Sequence, residues 1–156
     1  MADSFNTSGQ CQCGHARFSI SGRPLVRGFC HCLICQAFNQ AAFADITVFY
    51  ARDVHLHDES TVAFRAHQQP PMLKRGCCTQ CGKPAIERLN IPLMPALVVI
   101  PTANLSDPSL APQPALHIFY NRRQADVDDG LPKYCGYLSS QTHFGIAAIK
   151  VMLSRR

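Results

Sequence analysis

The sequence lacks the features that would assign it to a membrane or to the secretory pathway. Its longest apolar run, MPALVVI at residues 94–100, is far shorter than the roughly 20 residues that a membrane-spanning helix needs. The first ten residues, MADSFNTSGQ, contain no apolar segment of the kind found in secretory signals. We therefore expect a protein of the cytoplasm that has no membrane partner.

A concentrated basic surface is also missing. The net charge of +5 and the pI of about 8.8 are only mildly basic. The lysines and arginines are spread along the chain, and no basic stripe with interleaved aromatic residues is present. The pI lies below the rough value of 9 that is typical of nucleic-acid-binding domains. Nucleic acid is therefore an alternative partner and not the expected one.

Long helical periodicity is scarce, which argues against a helical bundle. Eleven prolines interrupt a chain whose length fits one domain. Alternating or β-branched segments predict strands instead. These segments are HARFSISG (15–22), AAFADITVFY (41–50), TVAFRAH (61–67), PALVVIPT (95–102) and ALHIFY (115–120). In the C-terminal segment, apolar residues recur at helical spacing at Phe144, Ala147, Ala148, Val151 and Met152. The prediction is a mainly β fold with short helices and a C-terminal helix.

Nine cysteines stand out against this background. They could form disulfides, but their fraction is below the roughly 8–10% of disulfide scaffolds, which are also shorter chains. Seven of them lie in two Cys-x-Cys steps and two Cys-x-x-Cys steps. In a reducing compartment such clusters are typical of metal ligands or redox groups. Metal binding is therefore the main hypothesis for these residues.

The seven clustered cysteines divide most simply into a set of four and a set of three. Because residues i and i+2 of a strand share a face, each Cys-x-Cys pair should project together. A closed tetrahedral zinc site would then take Cys11, Cys13, Cys78 and Cys81. A three-thiolate site with an open fourth position would take Cys30, Cys32 and Cys35.

Another division pairs the second and third clusters in the manner of a zinc ribbon. It would join Cys32 and Cys35 to Cys78 and Cys81. However, 42 residues separate the two pairs, whereas the usual spacing is about 15–20. This division would also leave three cysteines without a site.

The residues between and beside the cysteines are given structural roles. By strand alternation His31 points away from Cys30 and Cys32, which favours a packed histidine over a metal ligand. Cys77 and Cys135 are interpreted as thiols that bind no metal. Gly14 and Gly82 follow ligands and would let the backbone turn back, so that amides reach the sulfurs.

An open three-thiolate zinc site favours thiol chemistry over water activation. Three thiolates give the site a formal charge of −1, which makes the metal a weaker Lewis acid than one held by neutral histidines. A substrate thiol is a natural fourth ligand, and its bound form would be a nucleophile. The residues therefore predict that a small thiol adds to, or leaves from, an electrophilic carbon. The alternatives are a non-catalytic zinc-stabilised binding module, an iron–sulfur protein and a Cys-x-x-Cys redox protein.

Five short motifs carry a family resemblance, namely GQCQCGHARFSISG, SGRPL, GFCHCLICQ, RGCCTQCG and DGLPKY. From about residue 9 to 134 the chain resembles the glutathione-dependent formaldehyde-activating enzyme family, which includes centromere protein V. The resemblance implies an Mss4-like β-tent with zinc, and a carbon–sulfur lyase that condenses glutathione with formaldehyde. It implies two zinc ions, with the structural zinc on Cys11, Cys13, Cys78 and Cys81 and the catalytic zinc on Cys30, Cys32 and Cys35. The expected organisation is a tail at 1–8, this zinc domain at 9–137 and a helical extension at 138–156.

The chain departs from the family pattern near the expected substrate position. Gln40 replaces a usual glycine, Lys83 replaces a common threonine, and a tryptophan before the DGLP segment is missing. Candidate contacts for the carboxylates of glutathione are Arg17, Arg75 and Lys83, chosen because they lie near cysteines in the sequence. An ordinary surface charge is the alternative interpretation of each.

Overall fold

A computed structural model describes residues 5–69 and 71–155 of the chain. Within these ranges it has ten β-strands and two α-helices. Neither helix in the described part of the chain is long and apolar enough to cross a lipid bilayer. The strands are β1 (Thr7–Gln10), β2 (Arg17–Ile20), β3 (Val26–Cys30), β4 (Ala44–Tyr50), β5 (Val54–Leu56), β6 (Val62–Ala66), β7 (Leu73–Cys78), β8 (Pro84–Leu89), β9 (Leu97–Pro101) and β10 (His117–Ile118), and the helices are α1 (Leu33–Asn39) and α2 (Tyr137–Ser154).

The strands form a small sheet and a large sheet. The small sheet has the order β1-β2-β5, and the large one has the order β10-β3-β4-β9-β8-β7-β6. Neighbouring strands run antiparallel, apart from the short parallel pair of β10 with β3. The large sheet therefore brings β3, which leads into the second cysteine cluster, into the same layer as β7 and β8, which flank the third.

Strand β9 shows how the large sheet separates two cores. All five of its residues are buried, because the sheet is covered on both faces. Val98 and Ile100 pack in the core shared with the small sheet, against Phe18 and Ile20 of β2. Leu97 and Val99 point to the opposite face and join a second core. This alternation follows from the two-residue repeat of side-chain direction in a strand.

The two helices help to close the second core. Helix α2 packs Phe144, Ala147 and Ala148 there, together with residues of β3 and β10. The approach is close at Gly28 of β3, where an added Cβ would lie 3.1 Å from the Phe144 ring. Helix α1 contributes the buried Cys35 to the same core.

The structure confirms a mainly β fold with a C-terminal helix. Each of the five strand segments expected from the sequence contains a strand, namely β2, β4, β6, β9 and β10. Strands β1, β3, β5, β7 and β8 and the position of α1 were not predicted. The C-terminal helix begins at Tyr137 and ends at Ser154.

Candidate metal centre

Four cysteines meet where the N-terminal strand approaches the turn between β7 and β8. Cys11 and Cys13 follow β1, Cys78 ends β7, and Cys81 lies in the turn, and their sulfurs all lie within 4.8 Å of one another. The Sγ atoms of Cys11 and Cys13 are 3.5 Å apart, and those of Cys13 and Cys78 are 3.7 Å apart. A tetrahedral zinc with Zn–S bonds of about 2.3 Å separates its sulfurs by about 3.8 Å. The spacing of these thiols therefore fits a structural zinc ion.

The backbone around this cluster turns back on itself at two glycines. Gly14 and Gly82 have φ values of 79° and 69°, a left-handed region that side chains with a Cβ rarely adopt. The amide of Gly14 donates to the carbonyl of Cys11 at 3.0 Å, and that of Gly82 to the carbonyl of Cys78 at 2.9 Å. These turns accompany the close approach of the sulfurs within each ligand pair, which a metal site needs.

Backbone amides also reach the sulfurs. The amide of Ala16 donates to Sγ of Cys11 at 3.3 Å, and the amide of Gln80 donates to Sγ of Cys78 at 3.4 Å. Burial raises the pKa of Cys11, but the Ala16 amide and the neighbouring thiols outweigh burial and lower that pKa to about 6. Such N–H···S contacts stabilise the thiolate form that metal ligation requires.

The second cluster is built on the junction between β3 and α1. Cys30 ends β3, Cys32 is the N-cap of α1, and Cys35 lies in the first turn of the helix, with the three sulfurs within 4.8 Å of one another. Strand β3 ends at Cys30, and the chain turns into the helix after Cys32. The two side chains still converge, since Cys32 keeps extended dihedrals (φ −63°, ψ 151°). The amide of Cys35 donates to the Cys32 sulfur at 3.3 Å.

This cluster contains three thiols, not four. In residues 5–69 and 71–155, no fourth cysteine, histidine or carboxylate joins them within the same distance. Cys30 and Cys35 are only 4% and 5% exposed, whereas Cys32 is partly exposed. Hydrogen bonds from the thiols of Cys30 and Cys35 hold the pKa of Cys32 far below its usual value, and burial opposes them. The same contacts, with burial, raise the pKa of Cys30. The donor set therefore fits zinc, and its most accessible sulfur is the one whose pKa is lowered.

A buried ion pair lies directly against the three-cysteine cluster. Arg75 of β7 and Glu87 of β8 are 7% and 2% exposed, and Nη1 of the arginine lies 2.9 Å from Oε2 of the glutamate. The Nη2 group of Arg75 donates to Sγ of Cys35 at 3.5 Å. Burial raises the pKa of Glu87 to about 7, although Arg75 lowers it. Arg75 is therefore not a surface charge, and its guanidinium contacts Glu87 and Cys35.

The other two candidate cations lie at the surface. Arg17 donates from Nε to the carbonyl of Gly14 at 2.8 Å, beside the four-cysteine cluster. Lys83 donates from Nζ to Oε1 of Gln40 at 2.6 Å and so links the β7–β8 turn to the end of α1. Cys77 and Cys135 belong to neither cluster in the described part of the chain.

His31 turns away from its cysteine neighbours, as strand alternation predicts. Its Nε2 lies 2.8 Å from Nδ1 of His117, whose Nε2 lies 2.6 Å from Oδ2 of Asp129. Sequence reasoning missed this chain of contacts, because its members lie far apart in the sequence. It also missed Glu87, although a lone acidic residue directly after the apolar segment PAI gave a usable signal.

Comparison with known proteins identifies a family and a similar fold. The family model for the glutathione-dependent formaldehyde-activating enzyme matches residues 6–122. No curated protein matches the sequence significantly. A crystal structure of a Rhodobacter sphaeroides protein is similar in fold, with a TM-score of 0.53 and 14% sequence identity over 81% of this chain and 98% of that one. On the family match, the chain belongs to the glutathione-dependent formaldehyde-activating enzyme family.

Proposed function

We propose that this chain is a zinc-dependent carbon–sulfur lyase that adds a small aldehyde to a thiol such as glutathione, or removes it. The observation that supports this proposal is the difference in ligand number between the two cysteine clusters. One has four thiols and is complete as a tetrahedral site, whereas the other has three and one of them is accessible. The cytoplasm is the proposed location, because its reducing conditions keep such thiols free.

The three-cysteine cluster is the proposed catalytic site. A zinc ion held there would lower the pKa of a substrate thiol that completes its coordination. Cys30, Cys32 and Cys35 are the proposed ligands, and the exposure of Cys32 marks the side from which a substrate approaches. In the forward direction a carbon–sulfur bond forms between the thiol and the aldehyde carbon. The electron pair of the carbonyl double bond moves to oxygen, which takes up the proton that the thiol gives up.

The four-cysteine cluster is the proposed structural zinc site. It would fasten the loop after β1 to the β7–β8 turn through Cys11 and Cys13 on one side and Cys78 and Cys81 on the other. Cys11 and Cys78 belong to the core between the sheets, so the metal would add to the packing that holds the small sheet in place.

A non-catalytic zinc-stabilised binding module is the second candidate function. The near-complete burial of Cys30 and Cys35 favours it, since a buried site admits a substrate from one side alone. Helix α2 also exposes Ile146, Ile149 and Leu153, which could contact another protein. Neither feature implies a chemical reaction. A measurement of enzymatic turnover therefore distinguishes the two candidate functions.

The first test is the metal content of the purified protein and of two variants. Elemental analysis should give about two zinc ions per chain for the native protein and about one for Cys32→Ser, with an unchanged circular dichroism spectrum. Cys135→Ser is the matched control, because Cys135 is a cysteine outside both clusters, and it should keep both ions. One zinc in every sample would leave the three-cysteine site without support as a metal site.

The second test measures the reaction itself. Exchange spectroscopy with ¹³C-formaldehyde and glutathione follows formation and breakdown of S-hydroxymethylglutathione against the uncatalysed rate. The native protein and Cys135→Ser should accelerate exchange, and Cys32→Ser should not. Two bound zinc ions without acceleration would favour the binding module or another thiol and aldehyde.

A further inference from the structure

Two charged residues on neighbouring strands of the large sheet lie next to the three-cysteine cluster. Glu87 of β8 is the register partner of Arg75 in β7, so their side chains lie on the same face of the sheet. On its other side Glu87 pairs with Val99, which lies in the apolar core. The pair of Glu87 and Arg75 therefore extends from the edge of this core to the cysteine sulfurs.

The position of this ion pair is costly for stability. Removing two charges from water carries a desolvation penalty that their mutual attraction often fails to offset. Apolar residues of similar volume in such places are often neutral or stabilising. A general need to fill the core therefore does not explain why an arginine and a glutamate occupy this position.

The orientation of the pair supplies an electrostatic explanation. One guanidinium nitrogen of Arg75 contacts Glu87, and the other donates to Sγ of Cys35 at 3.5 Å. The positive member of the pair thus contacts the sulfur of Cys35, and the glutamate binds a different nitrogen of the guanidinium. The guanidinium also lies 5.5 Å from the centre of the Phe38 ring of α1, which helps to fix its orientation.

We infer that Arg75, held by Glu87, is a positioning residue that makes the three-cysteine site prefer an anionic fourth ligand, a thiolate, over a neutral one. Three thiolates around a divalent zinc already leave a net negative charge, which opposes the approach of another anion. A cation hydrogen-bonded to one of these sulfurs offsets that charge in a region of low dielectric constant. A neutral ligand is affected much less. This inference rests on the proposed function, since it specifies the substrate class of the same site.

The preference can be measured without any turnover. The protein is loaded with cobalt(II), whose absorption bands report the ligands, and is titrated with 2-mercaptoethanol or with imidazole. The four-cysteine site is already complete and does not respond to either probe. The measured quantity is the ratio of the two affinities at one fixed pH above the pKa of Glu87, where its carboxylate is ionised.

Variants of the pair should shift this ratio in opposite directions. Arg75→Met should lower the preference for the thiol about tenfold or more, because it removes a positive charge that attracts the anionic ligand and hardly affects the neutral one. Arg75→Lys should retain most of it. Glu87→Gln should raise it by about threefold, because it removes a negative charge and keeps the arginine. A purely structural role would not give two changes of opposite sign.

The chain offers a matched control in the ion pair of Arg88 and Glu59, whose side chains are 36% and 65% exposed. Arg88→Met should leave the ratio unchanged. If Arg75→Met does not fold, Glu87→Gln decides the matter, and an unchanged ratio in that variant overturns the inference. An unchanged ratio in a folded Arg75→Met does the same. A shifted ratio in a protein that shows no aldehyde exchange would keep this inference and reject the proposed reaction.

Discussion

The imidazole of His31 contacts that of His117 in the protein interior, with 2.8 Å between Nε2 of the first and Nδ1 of the second. His117 in turn contacts the carboxylate of Asp129, which also accepts from Lys133 at 2.9 Å. An ionised carboxylate accepts and cannot donate, so Nε2 of His117 carries a proton; the Nδ1 atom of a neutral His117 then accepts, and Nε2 of His31 donates to it. The Nδ1 atom of His31 is then an unprotonated acceptor, and it is buried without a hydrogen-bond partner in the described structure.

This arrangement predicts that His31 stays neutral in mildly acidic solution. Burial lowers the pKa of His31 to about 4, and the positive charges of surrounding groups contribute. Long-range ¹H–¹⁵N spectra at pH 5.5 should therefore show a single tautomer with the proton on Nε2. Asp129→Ala removes the terminal acceptor and should abolish this fixed tautomer. Protonation of both nitrogens of His31 at pH 5.5 would contradict the assignment.

The sign of the effect on stability follows from the same pKa. The unfolded chain, whose histidine pKa is about 6.5, takes up a proton before the folded chain does. The contribution of His31 to the free energy of unfolding should therefore fall as the pH drops from about 6.5 towards 4, by about 2 kcal/mol at pH 5. Urea unfolding of zinc-saturated protein at pH 7 and pH 5.5, compared with His31→Gln, measures this difference. An equal dependence on pH in both proteins would refute it.

The two cysteine clusters should respond differently to loss of one sulfur. Cys78 is 2% exposed and lies in the core between the sheets, so Cys78→Ser removes both a metal ligand and a buried apolar group. Binding of a structural zinc contributes about 10 kcal/mol or more in small domains, which is comparable to the whole stability of a typical protein. We expect Cys78→Ser to be unfolded by circular dichroism, whereas Cys32→Ser keeps its fold. A folded Cys78→Ser with full zinc content would contradict the ligand assignment.

A contact at the end of α1 joins Gln40 to Lys83 of the β7–β8 turn. Gln40 has a φ of 50°, a left-handed conformation that costs a residue with a Cβ about 1–2 kcal/mol, and its side chain accepts from Lys83. Gln40→Gly should therefore raise the free energy of unfolding by about 0.5 kcal/mol, because the relieved strain exceeds the value of one exposed hydrogen bond.

Thermal unfolding of Gln40→Gly, Lys83→Thr and the double variant tests this balance. Lys83→Thr should cost a few tenths of a kcal/mol in the native background, on the order of an exposed hydrogen bond, and nothing in the Gln40→Gly background. A large loss of stability in Gln40→Gly would mean that the amide contact, and not the backbone conformation, dominates at this position.

The sequence predicts the features that depend on local periodicity and on ligand chemistry. The alternation of Phe18 and Ile20 marks β2, because one face of that strand must be buried. The cysteine clusters are recognisable because few residue types bind zinc and their spacings are short. Helix α1 was not located, since seven residues that begin at an N-cap cysteine give too little helical periodicity.

Contacts made by strand pairing could not be predicted. The contact between Arg75 and Glu87 depends on the register of β7 with β8, and this pair contains an irregularity at Gly76 and Cys77. The contact between His31 and His117 depends on the parallel pairing of β10 with β3, two segments that are far apart in the chain. Long-range register of this kind has no local signature in one sequence.

Gly76 sits at that irregularity, beside Arg75, and gives a final prediction. An added Cβ would lie 2.5 Å from the carbonyl oxygen of Ile86 and 2.6 Å from Cγ1 of Val62, so backbone or buried side chains must shift. Overpacking of this kind typically costs about 1–3 kcal/mol. Gly76→Ala should therefore lower the free energy of unfolding by an amount in this range or above it.

Gly145 of α2 provides the matched control for the same substitution. A Cβ there would meet no heavy atom within 4 Å, so Gly145→Ala should stabilise the helix by about 0.5–1 kcal/mol. Urea unfolding of both variants measures the two effects, which should have opposite signs. Because a shift of β7 would also move Arg75 relative to Cys35, Gly76→Ala should in addition alter the cobalt spectrum of the three-cysteine site, and Gly145→Ala should not. An unchanged stability and spectrum in Gly76→Ala would show that the β7–β8 register is looser than the structure describes.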